Sequence, residues 1–257
     1  MAGRTAPQWT RVYMNGYDLS GYARTIGPLS VSYEPANLTV MQDTVEEWLT
    51  NTPTFGIGTL NTVMDSTATV GGHILLKTPA LDRRMMIPLG IGAAPALGNP
   101  VYCGTFAQTS YDGTEDGGAV VANAGFGGWD NTYTVSYDIP WGVLLLPRTS
   151  VGVNAANGIA EGGSVTGGWF MYQIFGFTGA GTVTVSLQDS VLIGGAYALV
   201  TGGATAALAT GTFPLCGVVA LARTQAVRAH VRYQVAFGAA TTAVDMAFAW
   251  MPNVHTY

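Results

Sequence analysis

The sequence predicts a mainly β protein whose sheets close into a sandwich or barrel, carry one main α-helix, and leave room for a second β-sandwich unit. Three observations predict it. Glycine occurs 35 times, aromatic residues make up 11% of the 257, and Thr and Val are abundant, a composition suited to strands joined by tight turns. Several runs alternate apolar and polar residues with the period of a strand, Val183-Thr184-Val185-Ser186-Leu187 among them. Between Asp189 and Arg223 the chain runs 33 residues without a charge, broken by Gly194-Gly195, Gly202-Gly203, Gly211, Pro214 and Gly217. A spanning helix needs roughly 20 predominantly apolar residues in succession, and no piece of this run is that long.

The N-terminal elements follow in order. Arg11 to Ser20 reads as a strand entering the Asn15-Gly16 turn. A second strand is expected through Leu29-Ser30-Val31-Ser32-Tyr33. Met41, Val45, Trp48 and Leu49 then fall at i, i+4, i+7 and i+8, so Leu38 to Thr50 reads as the helix. Asn37 or Thr39 would cap its start, and Pro53 would end it. Gly56 to Leu60 and Met85 to Leu89 read as strands, with a loop at Asp65–Gly72 and a Gly/Ala/Pro connection from Gly90 to Pro100. Asp112 to Gly118 reads as an acidic loop, and Tyr133 to Ile139 as an alternating strand.

Arg148 to Gly168, rich in Gly, Asn and Ala, reads as a long surface loop or a boundary between β units. The expected organisation is therefore an N-terminal β unit with the helix over 1–147, a loop or linker over 148–168, and a C-terminal β unit over 169–257. In that last unit Val183, Val185 and Leu187 share one face. Val231, Tyr233, Val235 and Phe237 alternate in one run, and Val244, Met246, Phe248 and Trp250 in the next. A hairpin with a four-residue loop, Gly238 to Thr241, would pair Val235 with Val244 and keep both apolar sets on one side. A five-residue loop would set Asp245 opposite Val235.

The net charge is −5, with 10% charged residues and a single lysine, Lys77. With a sequence pI near 5.0 this argues against the basic stripe of a nucleic-acid reader, though an acidic surface could still face DNA that slides past it. Met1 to Pro7 lacks the apolar core of a signal peptide. Cys103 and Cys216 match no metal spacing and read as buried free thiols, and synthesis inside a cell follows as the expectation. Catalytic candidates are few. His73, His230 and His255 are far apart, Gly162-Gly163-Ser164-Val165-Thr166 fails as a nucleophile elbow, and Gly90-Ile91-Gly92 lacks the later glycine of a phosphate loop. The sequence is therefore read as that of a non-enzyme without metal or cofactor.

What remains is the exterior. Charge keeps solitary proteins apart in water, and so bare a surface implies cover by copies of the same chain. The acids Asp43, Glu46, Glu47, Asp112, Glu115 and Asp116 lie in the first half, and Arg223, Arg228 and Arg232 near the C-terminus. They are candidates to meet across subunit boundaries or to line a channel.

Val12-Tyr13-Met14-Asn15-Gly16-Tyr17-Asp18-Leu19-Ser20-Gly21, Ile26-Gly27-Pro28-Leu29 and the Leu38 to Leu49 segment resemble the start of tail tube proteins from long-tailed bacteriophages. Ile174 to Gly179, Val183 to Ser190 and the run from Arg228 to Trp250 are similar to a β-sandwich module of phage virion proteins. The resemblance implies a structural subunit of the virion tail, made in the host cytoplasm. Its copies would form rings, hexameric in such proteins, that stack into a tube. Its partners would be itself, other tail proteins and viral DNA in transit. Two other readings stay open: a capsid decoration protein, and a carbohydrate-binding sandwich using Trp129, Trp141 and Trp169.

Overall fold

The computed structural model describes residues 7–32, 35–37, 48–50, 54–65, 72–116, 118–127, 140–152, 154–209, 214–238 and 241–253. After a 3-10 turn at Pro7–Trp9 come β1 (Tyr13–Met14), β2 (Tyr17–Asp18), β3 (Ala23–Ser32), β4 (Pro35–Asn37), β5 (Trp48–Thr50) and β6 (Thr54–Val63). A short helix, α1 (Gly72–Leu76), precedes β7 (Arg83–Pro88), β8 (Pro100–Asp116), β9 (Ala119–Gly127) and β10 (Trp141–Val151). The remaining strands are β11 (Ala155–Glu161), β12 (Gly168–Gly179), β13 (Thr182–Ser190), β14 (Ala198–Ala204), β15 (Leu208–Ala209), β16 (Leu215–Ala220), β17 (His230–Phe237) and β18 (Thr241–Pro252). The mainly β expectation holds, with antiparallel pairing throughout.

One sheet organises the molecule, in the order β16-β12-β18-β10-β8-β7-β1-β2. Its strand β8 serves two layers. The stretch from Val101 to Phe106 pairs with β7, and Ala107 to Asp116 pairs with β9. β9, β6 and β3 then continue as a layer folded back over β1, β7 and the first part of β8. Phe55, Ile57 and Leu60 of β6 and Phe126 of β9 meet Met14, Met85, Ile87, Tyr102 and Phe106 in that core. At the other end, the sheet β11-β17-β13-β14 lies across β10, β18, β12 and β16. Val183, Val185, Leu187, Val231 and Val235 pack there against Phe170, Ile174, Val244, Met246, Phe248 and Trp250. The protein is thus two β-sandwiches sharing one sheet.

The local chemistry explains much of this. The Asn15-Gly16 turn joins β1 to β2 with φ of 50° and 81°, the left-handed pair a two-residue hairpin requires. The face of β13 carrying Val183, Val185 and Leu187 is fully buried, as its alternation predicts. Leu29 to Ser32 lies in β3, Gly56 to Leu60 in β6 and Met85 to Pro88 in β7, as expected. Both cysteines are free thiols, Cys103 buried and Cys216 half-buried.

Four expectations are corrected. Trp48–Thr50 is a strand paired with Pro35–Asn37, not the end of a helix. The rest of that helix, 38–47, lies outside the described residues, as do the 133–139 strand and most of the 65–72 loop. Among the described residues helix is confined to α1 and the Pro7–Trp9 turn. Asp112 to Asp116 is the end of β8, paired with β9 up to Asp116↔Ala119, rather than a loop. The stretch 148–168 holds the end of β10 and all of β11, and the shared sheet runs unbroken through β8, β10, β18 and β12 across that boundary.

The fourth correction concerns β17 and β18, which form no hairpin. β17 pairs with β11 and β13, and β18 with β10 and β12. The chain turns a corner between layers, held by Gly238 N–H donating to Thr182 O at 2.8 Å and Thr241 Oγ1 donating to the same oxygen at 3.1 Å. Both apolar sets still face one core, from opposite sides of it. Alternation fixes the face a strand presents and says nothing about which sheet it joins.

Candidate assembly surface

Among the described residues, several charged side chains are engaged within the chain. Arg148, on β10, donates from Nη1 to Asp18 Oδ2 at 2.7 Å, and from Nε and Nη2 to Asp245 Oδ2 at 3.0 and 2.7 Å. Its guanidinium lies 4.5 Å from the centroid of the Phe175 ring, which meets Tyr13 edge-on at 5.0 Å. The hydrogen bonds donated to Asp245 and then to Asp18 hold the Arg148 pKa above its ordinary value. One arginine thereby ties β2, β10 and β18 together.

The C-terminal arginines make looser contacts, and the Arg228 side chain is half exposed. Arg228 places its backbone N–H 2.8 Å from Asp189 Oδ2 and its Nη1 3.9 Å from Asp189 Oδ1. Arg232 donates from Nε to Gln188 Oε1 at 2.7 Å and stacks over Tyr197 at 4.3 Å. Gln188 in turn donates to Gln234 Oε1 at 2.7 Å. Arg223 lies in the segment between β16 and β17, half-buried. Asp112 and Glu115 are exposed on the outer end of β8, and Asp116 closes that strand beside them. Asp43, Glu46 and Glu47 lie outside the described residues. Sequence reasoning treated Arg228 and Arg232 as candidates for a neighbouring subunit. It had no means of seeing that β13 brings Asp189 and Gln188 beside them.

A second internal clamp locks the N-terminal hairpin to the C-terminal half. The Gly16 N–H donates to Gln173 Oε1 at 2.6 Å, and Gln173 Nε2 donates to Arg84 O at 3.1 Å. Arg84 N–H donates to Asn15 Oδ1 at 2.8 Å, and Arg84 Nη1 to Cys216 O at 3.0 Å. A Cβ on Gly16 would lie 2.6 Å from Leu215 N, so glycine is needed for space as well as for φ. Burial pushes the Cys216 thiol up to about 11 against the partial opposition of Arg84, and burial raises Cys103 as well.

Against these engaged charges stand exposed aliphatic side chains. Val191, Leu192 and Ile193 form the tip between β13 and β14 and are 65%, 68% and 64% exposed. Ile91 and Leu97 stand out from the Gly90 to Pro100 connection. Elsewhere Leu81, Val120, Val165 and Leu199 are also more than half exposed.

The residues weighed for other chemistries are dispersed. His73 Nδ1 lies 2.6 Å from the Tyr111 hydroxyl, His230 is on β17, and His255 is outside the described residues. Among the described residues no three His, Cys, Asp or Glu side chains gather to hold a metal ion, and no helix is long and apolar enough to cross a membrane. Trp169 is buried on the shared sheet and so does not stand free for a sugar, whereas half-buried Trp141 packs edge-on against Tyr102 at 5.0 Å. Trp129 lies outside the described residues.

No known protein family matches this sequence, and no curated protein matches it. Among solved structures the chain is similar to SPP1 Dit (gp 19.1), described as a paradigm of the hub adsorption apparatus in Gram-positive infecting phages. That likeness covers 93% of this chain and 98% of that one, at 11% identity and a TM-score of 0.31. A likeness to the structure of infectious bursal disease virus Gx strain covers 100% of this chain and 71% of that one, at 10% identity and a TM-score of 0.25. At these TM-scores neither carries an argument about fold or function.

Proposed function

We propose that this chain is a structural subunit of a bacteriophage tail, a tube protein whose copies form rings that stack around a passage for DNA. One observation carries the reading: Arg148, Arg228 and Arg232 are engaged within the chain, while the aliphatic tip at Val191–Ile193 faces water. Surfaces destined for subunit contacts are depleted in Lys and Glu. Exposed apolar groups of this kind mark sites of association.

The resemblance of Val12 to Gly21 and Ile26 to Leu29 to tail tube proteins supplies the particular class. The proposed role is mechanical, with no catalytic step, and localisation is the virion tail. Asp112 and Glu115, exposed at the end of β8, are the acids assigned here to a channel or a neighbouring ring. Facing a channel they would repel phosphate and keep DNA from adhering.

Light scattering combined with negative-stain microscopy of the purified chain tests this. Rings or tubes with a regular axial repeat are expected. A closed trimer would assign the chain to capsid decoration instead, and a monomer at every concentration would overturn the reading.

A further inference from the structure

We propose that Asn15-Gly16 is a deamidation site that the fold keeps shut. The turn stays intact while the N-terminal hairpin is docked on the C-terminal half, and it converts irreversibly to aspartate or isoaspartate once the hairpin leaves. This chemistry does not depend on the self-association proposed above.

The dipeptide sets the reaction. The Gly16 backbone nitrogen, once deprotonated, attacks the side-chain carbonyl carbon of Asn15. A bond forms between that nitrogen and Cγ, the Cγ–Nδ2 bond breaks, and the departing nitrogen takes up a proton and leaves as ammonia. Water then opens the cyclic imide at either carbonyl, giving aspartate or isoaspartate, with no oxidation or reduction. Glycine favours the attack because no Cβ restricts how the chain turns at the nitrogen.

The docked hairpin opposes each requirement. The Gly16 N–H donates to Gln173 Oε1 at 2.6 Å, and Gln173 is completely buried. That acceptor favours the neutral amide over its deprotonated form. Asn15 Oδ1 accepts from Arg84 N–H at 2.8 Å, with Cys216 Sγ 3.9 Å away, and Asn15 N–H donates to Arg84 O at 3.0 Å. The carboxamide and the nitrogen that must attack it are thus pinned to different partners, Arg84 on β7 and Gln173 on β12. Gln173 Nε2 also donates to Arg84 O at 3.1 Å, so the two anchors are tied to each other.

Rotation is blocked as well. A Cβ on Gly16 would lie 2.6 Å from Leu215 N, 2.8 Å from Pro214 Cβ and 2.9 Å from Ile174 O. The turn is pressed against β12 and the start of β16, and it cannot swing Gly16 N toward Cγ without lifting off. The product cannot redock. Isoaspartate routes the main chain through the former side chain, which adds a methylene to a two-residue loop that needs its φ pair of 50° and 81°. Gly16 N–H is then carried away from Gln173, which loses its buried donor.

The same dipeptide occurs once more, at Asn157-Gly158. It falls where β11, the edge strand of its sheet, loses register with β17 between Asn157 and Ala160. In the unfolded chain the two share one intrinsic chemistry, so Asn157 supplies an internal reference.

The test incubates the full-length chain at mildly alkaline pH, native and in concentrated urea, and follows both Asn-Gly peptides by mass spectrometry. In urea the two should deamidate at similar rates. In the native chain Asn15 should react at least about tenfold more slowly than in urea, because modification tracks the opened population. Full-length Gln173→Leu that still unfolds cooperatively should speed native deamidation of Asn15 about fivefold or more and leave Asn157 unchanged. If Gln173→Leu does not fold, hydrogen exchange of the wild-type Gly16 amide over a urea series takes its place, and deamidation of Asn15 should rise together with that exchange. Native Asn15 reacting as fast as in urea overturns the proposal. So does a folded Gln173→Leu in which Asn15 stays protected, or an Asn15 that stays intact where the Gly16 amide exchanges freely.

Discussion

The two sandwiches share a sheet yet are held together by different chemistry. The C-terminal core is filled by aliphatic and aromatic side chains, with Phe170 stacked on Phe248 at 4.8 Å, and the polar group at its edge, the Trp250 indole N–H, donates to Gly162 O at 2.7 Å. The N-terminal core is crossed by polar contacts. The Tyr102 hydroxyl lies 2.9 and 3.0 Å from the carbonyl oxygens of Ser30 and Gly56, joining β8 to β3 and β6. Buried Arg83 donates to Leu75 O at 2.8 Å, Thr78 O at 2.6 Å and Gln108 Oε1 at 3.2 Å, closing the end of α1. Apolar packing tolerates exchanges that keep volume. A buried polar group that loses its partner is costly whatever the volume.

Substitutions sharpen that contrast. Phe248→Ala should have the largest effect, about 3–5 kcal/mol of stability by chemical denaturation, whereas Phe248→Leu should cost far less. A small effect of Phe248→Ala would mean that the C-terminal sandwich does not bear stability as its burial implies. Arg83→Met, close in volume, should still cost about 2–3 kcal/mol because three acceptors lose their donor. Tolerance of Arg83→Met would erase the difference between the sandwiches.

Alkaline pH gives a third comparison. Burial pushes the Cys216 thiol up to about 11 against an ordinary 9.0, and complete burial raises Cys103 as well. The neutral thiol is the form the folded state favours. Its contribution is therefore complete below pH 9 and is lost as the pH rises through the window from 9 to 11, roughly 3 kcal/mol for Cys216. Stability flat across that window would contradict the burial of the Asn15–Arg84–Gln173 clamp. The smallest effect is expected of Arg148→Ala, about 1 kcal/mol, since the pairs with Asp18 and Asp245 are part-exposed and screened.

The legibility of the fold divides along the same lines. Val183-Thr184-Val185-Ser186-Leu187 and the Asn15-Gly16 turn carry their structure in local chemistry, and both were readable from the residues. The layer each strand joins is decided by distant partners. β17 and β18 looked like a hairpin because their apolar sets match, and only their pairing with different strands, with the corner held at Thr182, shows that they part. Trp48-Leu49-Thr50 fits a helical stripe by spacing, yet it pairs as a strand with Pro35–Asn37, a tertiary choice that overrides local period. The acids of Asp112 to Asp116 suggested a loop, although exposed charges suit the end of a hairpin arm equally well. Of the surface, scarcity of charge was legible from composition, whereas the engagement of Arg228 and Arg232 with β13 depends on register.

The central claim is that the uncharged exterior is covered by other copies, and sedimentation of the purified chain over a wide concentration range tests it most directly. Mass rising well above one chain, with rings or stacks in micrographs of the same sample, is the predicted result. A single species of 26.7 kDa at every concentration would contradict it.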